Sequence, residues 1–214
     1  MMMSGVTMRI GDSLLEKNEV LKAIRKRRSV RMFLDREVPE EEITTLLQAA
    51  NLAPSAHNQQ SWRFIVVTGE RKKKLVNLIA LKAADFERPS SVLLRMASRT
   101  IQEAPLVIAI ANSGELIKHG SELFRLRKEA SHDFFRTMEI QSSAAAVQNL
   151  LLAATSLAIG AVWLGILYLI KDSILKFLEE PKGEFMAVVP VGYASKPVSG
   201  PHKRSLETVV KHLN

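Results

Sequence analysis

Two short runs hold the residues best equipped for chemistry. Arg27-Arg28-Ser29-Val30-Arg31 gathers fixed positive charges around a hydroxyl. Guanidinium forks bind phosphate bidentately and keep their charge, so such a run can hold a dianion. Pro54-Ser55-Ala56-His57-Asn58-Gln59-Gln60-Ser61-Trp62 is a polar loop of small and amide residues that leads into an apolar strand. The Asn58 and Gln60 amides can pair with the donor–acceptor edge of a heterocycle, and Ser55 and Ala56 allow close backbone approach. Together the runs point to a phosphorylated heteroaromatic cofactor. Each also has a plainer reading. If the first helix continues, Arg27 and Arg31 share one face, and arginines near a helix C-terminus can simply complement its dipole. The loop can equally be a turn that caps a helix and starts a strand.

The elements that must position these runs are legible in outline. The spacing predicts a helix over residues 16–27, with Val20, Leu21 and Ile24 on one face. A second begins at Glu40-Glu41-Glu42 behind Pro39 and carries Ile43, Leu46, Leu47 and Ala50 at helical spacing. Proline at a helix start and acids in the first turn suit the helix dipole. Apolar runs at Trp62–Thr68, Leu106–Ala111 and Phe185–Tyr193 read as strands. Basic residues 71–80 and residues 89–103 read as helices, as does the short segment 172–179. Residues 115–136, with mixed charge, read as an exposed helical excursion. Gln141–Ala158 reads as a buried helix, apolar nearly all round. Residues 160–165 are a short strand or turn, and residues 1–15 a loosely held arm. The pattern implies one α+β domain over residues 1–214 with a mixed sheet.

Bulk properties narrow the function classes. The 214 residues are 47% hydrophobic and 24% charged, an ordinary globular balance. The net charge of +8 leaves open a basic nucleic-acid-binding module, but aromatics do not interleave with the basic runs as base stacking would need. With no cysteine there is no disulfide, thiolate metal site or Cys nucleophile. The five histidines show no ligand spacing, so no metal is expected. The N-terminus does not read as a signal peptide, and the apolar stretch 144–163 is broken by polar residues. A cytoplasmic protein with no membrane or nucleic-acid partner is therefore expected. The chain has no GxGxxG, GxxxxGK[ST] or GxSxG, which disfavours Rossmann, P-loop and serine-hydrolase sites.

The ordered set of segments is more specific than any single piece. Arg27-x-Ser29-x-Arg31 is followed by Pro54-Ser55-Ala56-His57-Asn58-x-Gln60-x-Trp62, then Gln148-Asn149-Leu150-Leu151-Leu152-Ala153-Ala154. Trp163-Leu164-Gly165 and Lys203-Arg204-Ser205-Leu206-Glu207 complete it. In this order, over nearly the whole chain, the set resembles the FMN-dependent nitroreductase family. It departs from the family at Ser61 and Ser205, where proline is common, and at Leu164, where some members have an acid.

The resemblance implies a nitroreductase-like fold: a central, mainly antiparallel sheet flanked by helices, in an intertwined homodimer with FMN at the subunit interface. It implies that Arg27, Ser29 and Arg204 hold the phosphate with Lys203 assisting, and Arg28 is counted with them as cofactor-binding. Arg31 would lie near the ribityl chain and the N1–O2 edge, where positive charge favours the reduced, anionic flavin. Pro54, Ser55, Ala56 and Asn58 would line the isoalloxazine and ribityl, with Gln60 of the same loop also cofactor-binding. This loop would come from one subunit and the arginine cluster from the other; Gln141 would reach the flavin's edge. The amide of Leu164 or Gly165 would face N5. The implied reaction is two-step: NAD(P)H reduces FMN, then a nitroaromatic, quinone or similar small molecule is reduced in its place. No protein acid or base is named as catalytic. A flavin-fragmenting or dehalogenating relative on the same fold is the alternative enzyme.

Overall fold

The computed structural model describes residues 15–124, 128–180 and 182–213. The reading of residues 1–15 as an arm falls almost wholly outside them. The helices are α1 (Glu19–Lys26), α2 (Glu40–Asn51), α3 (Gly69–Lys82), α4 (Ser90–Glu103), α5 (Glu115–Phe124), α6 (Lys128–Ser156) and α7 (Lys171–Phe177). The strands are β1 (Trp62–Val67), β2 (Leu106–Asn112), β3 (Gly160–Ala161) and β4 (Glu184–Gly192). They form one sheet in the order β1-β2-β4-β3, with every ladder antiparallel. The parallel component expected of a mixed sheet is confined to an isolated bridge between Ser29 and Ala161.

Strand β2 is buried on both faces, which explains its unbroken apolar run. Leu106, Ile108 and Ile110 face a core shared with Leu46 of α2 and with Val147, Leu150 and Ala154 of α6. Val107, Ala109 and Ala111 face a second core with Leu75 and Ile79 of α3 and with Leu94 and Ile101 of α4. The two-residue period of a strand sorts alternate side chains into these layers. In β4 the alternation slips once. The register shifts between Ile110 and Ala111, and Met186 and Ala187 both join the first core. An extra residue in one strand of an antiparallel pair has this effect.

Two elements differ from the sequence expectation. Helix α6 starts at Lys128, well before Gln141, and residues 115–136 are not wholly an exposed excursion. Leu116 and Phe135 are fully buried. A Cβ at Gly120 would lie 2.4 Å from the Phe135 ring, so the glycine lets α5 close on α6. Within α6 the buried stripe is Ala146, Val147, Leu150, Leu151 and Ala154, while Gln141 and Gln148 are exposed, as is Leu157 just beyond its end. Among the described residues no helix is long and apolar enough to cross a membrane.

Candidate functional site

Helix α1 stops at Lys26, and its cap, Arg27, donates its amide to the Ala23 carbonyl at 2.9 Å. Beyond it the chain is extended. Ser29 bridges to Ala161, and Phe33 bridges to Ala194. The Val30 amide donates to the Ala161 carbonyl at 3.1 Å. Arg27 and Arg31 therefore share a side through the two-residue period of extended chain, with Ser29 between them, and not through a helical turn. Val30 points the other way and is buried against Gly160, where an added Cβ would meet its methyls at 2.8 and 2.9 Å.

The C-terminal segment closes on this run. Arg27, Arg28, Ser29, Arg31, Gly200 and Lys203 line one cavity of about 590 Å³. Positive charge from both ends of the described chain thus meets at a serine hydroxyl, a donor set matched to a phosphate group. The residues differ in how free they are to serve. Arg28 Nη1 donates to the Arg25 and Arg27 carbonyls, both at 2.8 Å. It seals the end of α1, so for this arginine the helix-capping reading holds. Its guanidinium stem packs on Gly200, where a Cβ would sit 2.8 Å from Arg28 Nε. Arg204 is exposed next to Lys203 and does not line the cavity.

Arg31 also lines a second cavity, of about 220 Å³, together with Met96, Thr100, Trp163, Leu164 and Gly165. The Leu164 amide donates to the Val188 carbonyl at 3.0 Å and is spent on the sheet edge. Gly165 opens a 3-10 segment (Gly165–Ile170), where the first N–H groups lack an intrahelical partner. Nothing lies within 4 Å of a Cβ built on Gly165, so the side-chain direction of this residue is open, and Gly165 itself lines the cavity. Of the two amides proposed from sequence, Gly165 is the one left to meet a ligand. Leu93, Met96 and Thr100 are not among the expected site residues, because residues 89–103 read from sequence only as a helix.

The Pro54 loop lines neither cavity. It is held by its own polar groups. Ser55 Oγ accepts from the Gln60 amide at 3.1 Å, and the Gln60 side chain donates to Asn58 Oδ1 at 2.8 Å. His57, Asn58 and Gln60 have φ values of 53°, 53° and 48°, a left-handed geometry that costs energy outside glycine. Helix α6 fixes the loop from below, where Ser142 Oγ accepts from the Ala56 amide at 3.1 Å. Gln141, exposed beside Ser142, therefore belongs to the loop's neighbourhood and not to the Arg27–Lys203 cavity. Pro54, Asn58 and Gln60 are exposed; Ser55 and Ala56 are half-buried.

Residues 24–193, which include most of these features, match the nitroreductase family. The chain belongs to that family. It is 33% identical over 199 residues to a candidate NADH dehydrogenase/NAD(P)H nitroreductase of Methanothermobacter thermautotrophicus, covering 91% of this chain and 86% of the relative. It is 30% identical over 194 residues to an NADH dehydrogenase of Thermus thermophilus, covering 86% and 91% of the two chains. A candidate nitroreductase from Desulfovibrio desulfuricans, solved in complex with FMN, superposes with a TM-score of 0.69 at 27% identity, covering 92% of this chain and 98% of that one. The nitroreductase fold accounts for the antiparallel sheet between two helical layers.

Proposed function

We propose that this nitroreductase-family chain is an FMN-dependent NAD(P)H oxidoreductase whose final acceptor is a nitroaromatic, quinone or similar small molecule. One observation carries the reading. Side chains from residues 27–31 and 200–203 surround one cavity, and Arg31 joins it to the cavity at Gly165. A ligand with a phosphate at one end and a flat ring at the other fits that layout. When bound, FMN supplies hydride exchange at N5, first with NAD(P)H and then with the acceptor.

The chain's own residues bind, orient and set charge. Arg27, Ser29 and Lys203 would grip the phosphate, with Arg204 adding charge and Arg28 shaping the wall. Arg31 would hold a fixed cation along the cofactor, where it favours the negative charge that reduction adds. The Gly165 amide would face N5. Met96 and Trp163 would give the ring an apolar flank. Pro54, Ser55, Ala56, Asn58, Gln60 and Gln141 would complete the site from a second copy of the chain, since they stand apart from the cavities of their own subunit. The active form is then a homodimer with two equivalent sites. Reductant and acceptor would take turns over one face, and water would supply the proton that completes reduction of the acceptor, so no protein acid or base is assigned.

The test is direct. The purified protein should carry flavin absorption that anaerobic NADH or NADPH bleaches, and steady-state rates should give parallel double-reciprocal lines as acceptor is varied. A colourless protein that takes up no added FMN sinks the reading.

A further inference from the structure

Helix α6 turns a buried polar edge toward the loop that precedes β1. In little more than one turn it presents Glu139, Ser142 and Ser143, all buried. Ser142 holds the Ala56 amide at 3.1 Å. Ser143 donates to Asn112 Oδ1 at the end of β2. Glu139 reaches furthest. Its Oε1 accepts from the Leu116 amide at 2.8 Å, in the first turn of α5. The Ser61 hydroxyl and the Ile117 amide favour its charged form, while among the described residues its buried Oε2 has no hydrogen-bond partner.

A carboxylate in this place is costly for the fold. Burial pushes Glu139 above the ordinary glutamate range, despite the Leu116, Ser61 and Ile117 donors, and Glu184 pushes it further the same way. An apolar residue of similar volume would sit there at less cost. What an apolar residue could not do is grip the first turn of α5 beside the end of the Pro54–Ser61 loop. Those two elements face each other across a cleft of about 300 Å³ lined by Gln59 on the loop and Glu115, Lys118 and His119 on α5. The tie is continued by the backbone, since the Ser113 amide donates to the Ser61 carbonyl at 2.8 Å.

We propose that Glu139 is a positioning residue: its carboxylate sets the spacing between α5 and the Pro54–Ser61 loop, and through that cleft the size of acceptor the enzyme admits. This rests on the flavin reading above. It adds that acceptor selectivity is governed from beneath the site by a group that touches neither cofactor nor acceptor.

The experiment uses the FMN-loaded enzyme with Glu139→Ala, Glu139→Gln and wild type. Three quantities are read: amide exchange at Leu116 and Ile117, FMN affinity, and the ratio of kcat/KM for nitrofurazone to that for 1,4-benzoquinone. Exchange at the two amides should rise about tenfold or more in Glu139→Ala, as local opening becomes easier. The selectivity ratio should shift about fivefold or more, chiefly through KM for the bulky acceptor. FMN affinity should change less than the selectivity ratio, since the phosphate grip is remote from Glu139 even though the Pro54–Ser61 loop lines the ring. Glu139→Gln keeps the volume and one acceptor oxygen, so it should fall between the two, and it decides alone if Glu139→Ala does not fold. A variant that loses thermal stability but keeps the wild-type selectivity ratio makes Glu139 merely structural and overturns the proposal. So does unchanged exchange at Leu116 and Ile117. Wild type that takes up no FMN is read before any variant is compared; it overturns the flavin reading and this proposal with it.

Discussion

Gly160→Ala offers a severe test of the proposed phosphate grip, because it alters no residue of that grip. The built Cβ would lie 2.8 Å from Val30 Cγ1 and 2.9 Å from Val30 Cβ and Cγ2. Ordinary carbon contacts are about 3.5–4.0 Å, so Val30 must retreat by roughly 0.6–1 Å. Gly160 has no left-handed φ, so the clash is one of space alone. Val30 is pinned to Ala161 through its amide at 3.1 Å, and Ser29 bridges to the same residue. Retreat therefore drags Ser29 and Arg31 off station. A displacement of that size takes a hydrogen bond beyond its working range. Overpacking should cost about 1–3 kcal/mol of stability, which for a chain of this size lowers Tm by roughly 2–12 °C. Losing one charge-assisted bond to the phosphate costs about 1.5–3 kcal/mol, which weakens FMN roughly 10- to 150-fold. Kd is measured by quenching of flavin fluorescence, and Tm on the apoprotein. Adding Val30→Ala removes the two methyls but leaves the Cβ approach, so it should recover part of both losses. FMN affinity within about threefold of wild type in a destabilised Gly160→Ala would refute the reasoning, because the cradle would then not depend on this packing.

Three further outcomes follow from the same geometry. Arg31→Gln should lower the flavin's midpoint potential by on the order of 30 mV, because a cation no longer opposes the charge of the reduced form; redox titration against a dye of known potential measures it. Ser142→Ala leaves the Ala56 amide without its acceptor, at a cost of about 0.5–1.5 kcal/mol. Hydrogen exchange at Ala56 should quicken with little change elsewhere, and an unaltered rate counts against the role of α6 beneath the loop. For Glu139 the pKa is raised by burial, so the folded state binds its proton more tightly than the unfolded chain. The associated stability is fully present below the ordinary glutamate pKa of about 4.3 and is lost as pH rises through the folded value. The Tm of wild type relative to Glu139→Gln should therefore be highest at acid pH and decline toward neutrality; a gap that does not vary with pH contradicts the assignment.

Local pattern alone located much of the scaffold. The apolar runs read at residues 62–68, 106–111 and 185–193 each fall within a residue of a strand of the sheet. Pro39 with three following acids marks the start of α2 within one residue, the proline being its N-cap and not its first helical residue. Such signals are legible because they depend on neighbours in the chain and on a face that must be buried. The ordered motifs likewise gave the family and its cofactor, since side-chain chemistry at fixed spacing survives in sequence.

Other features were decided only by contacts between distant segments. Arg27 to Arg31 fits a helical face on paper, yet α1 ends at Lys26 because Val30 finds its partners in Gly160 and Ala161, far along the chain. Arg28 reads as an anion ligand but spends its donors on the carbonyls at the end of α1. Leu164 and Gly165 look equivalent until the Val188 carbonyl takes the first amide. Residues 115–136 carry the charge of a solvated surface, but Gly120 admits the Phe135 ring and draws α5 against α6. Glu139, three residues beyond that run, is buried where α6 meets the Leu116 amide of α5. Sequence shows what a side chain can bond; only the folded chain shows which of its partners arrives first.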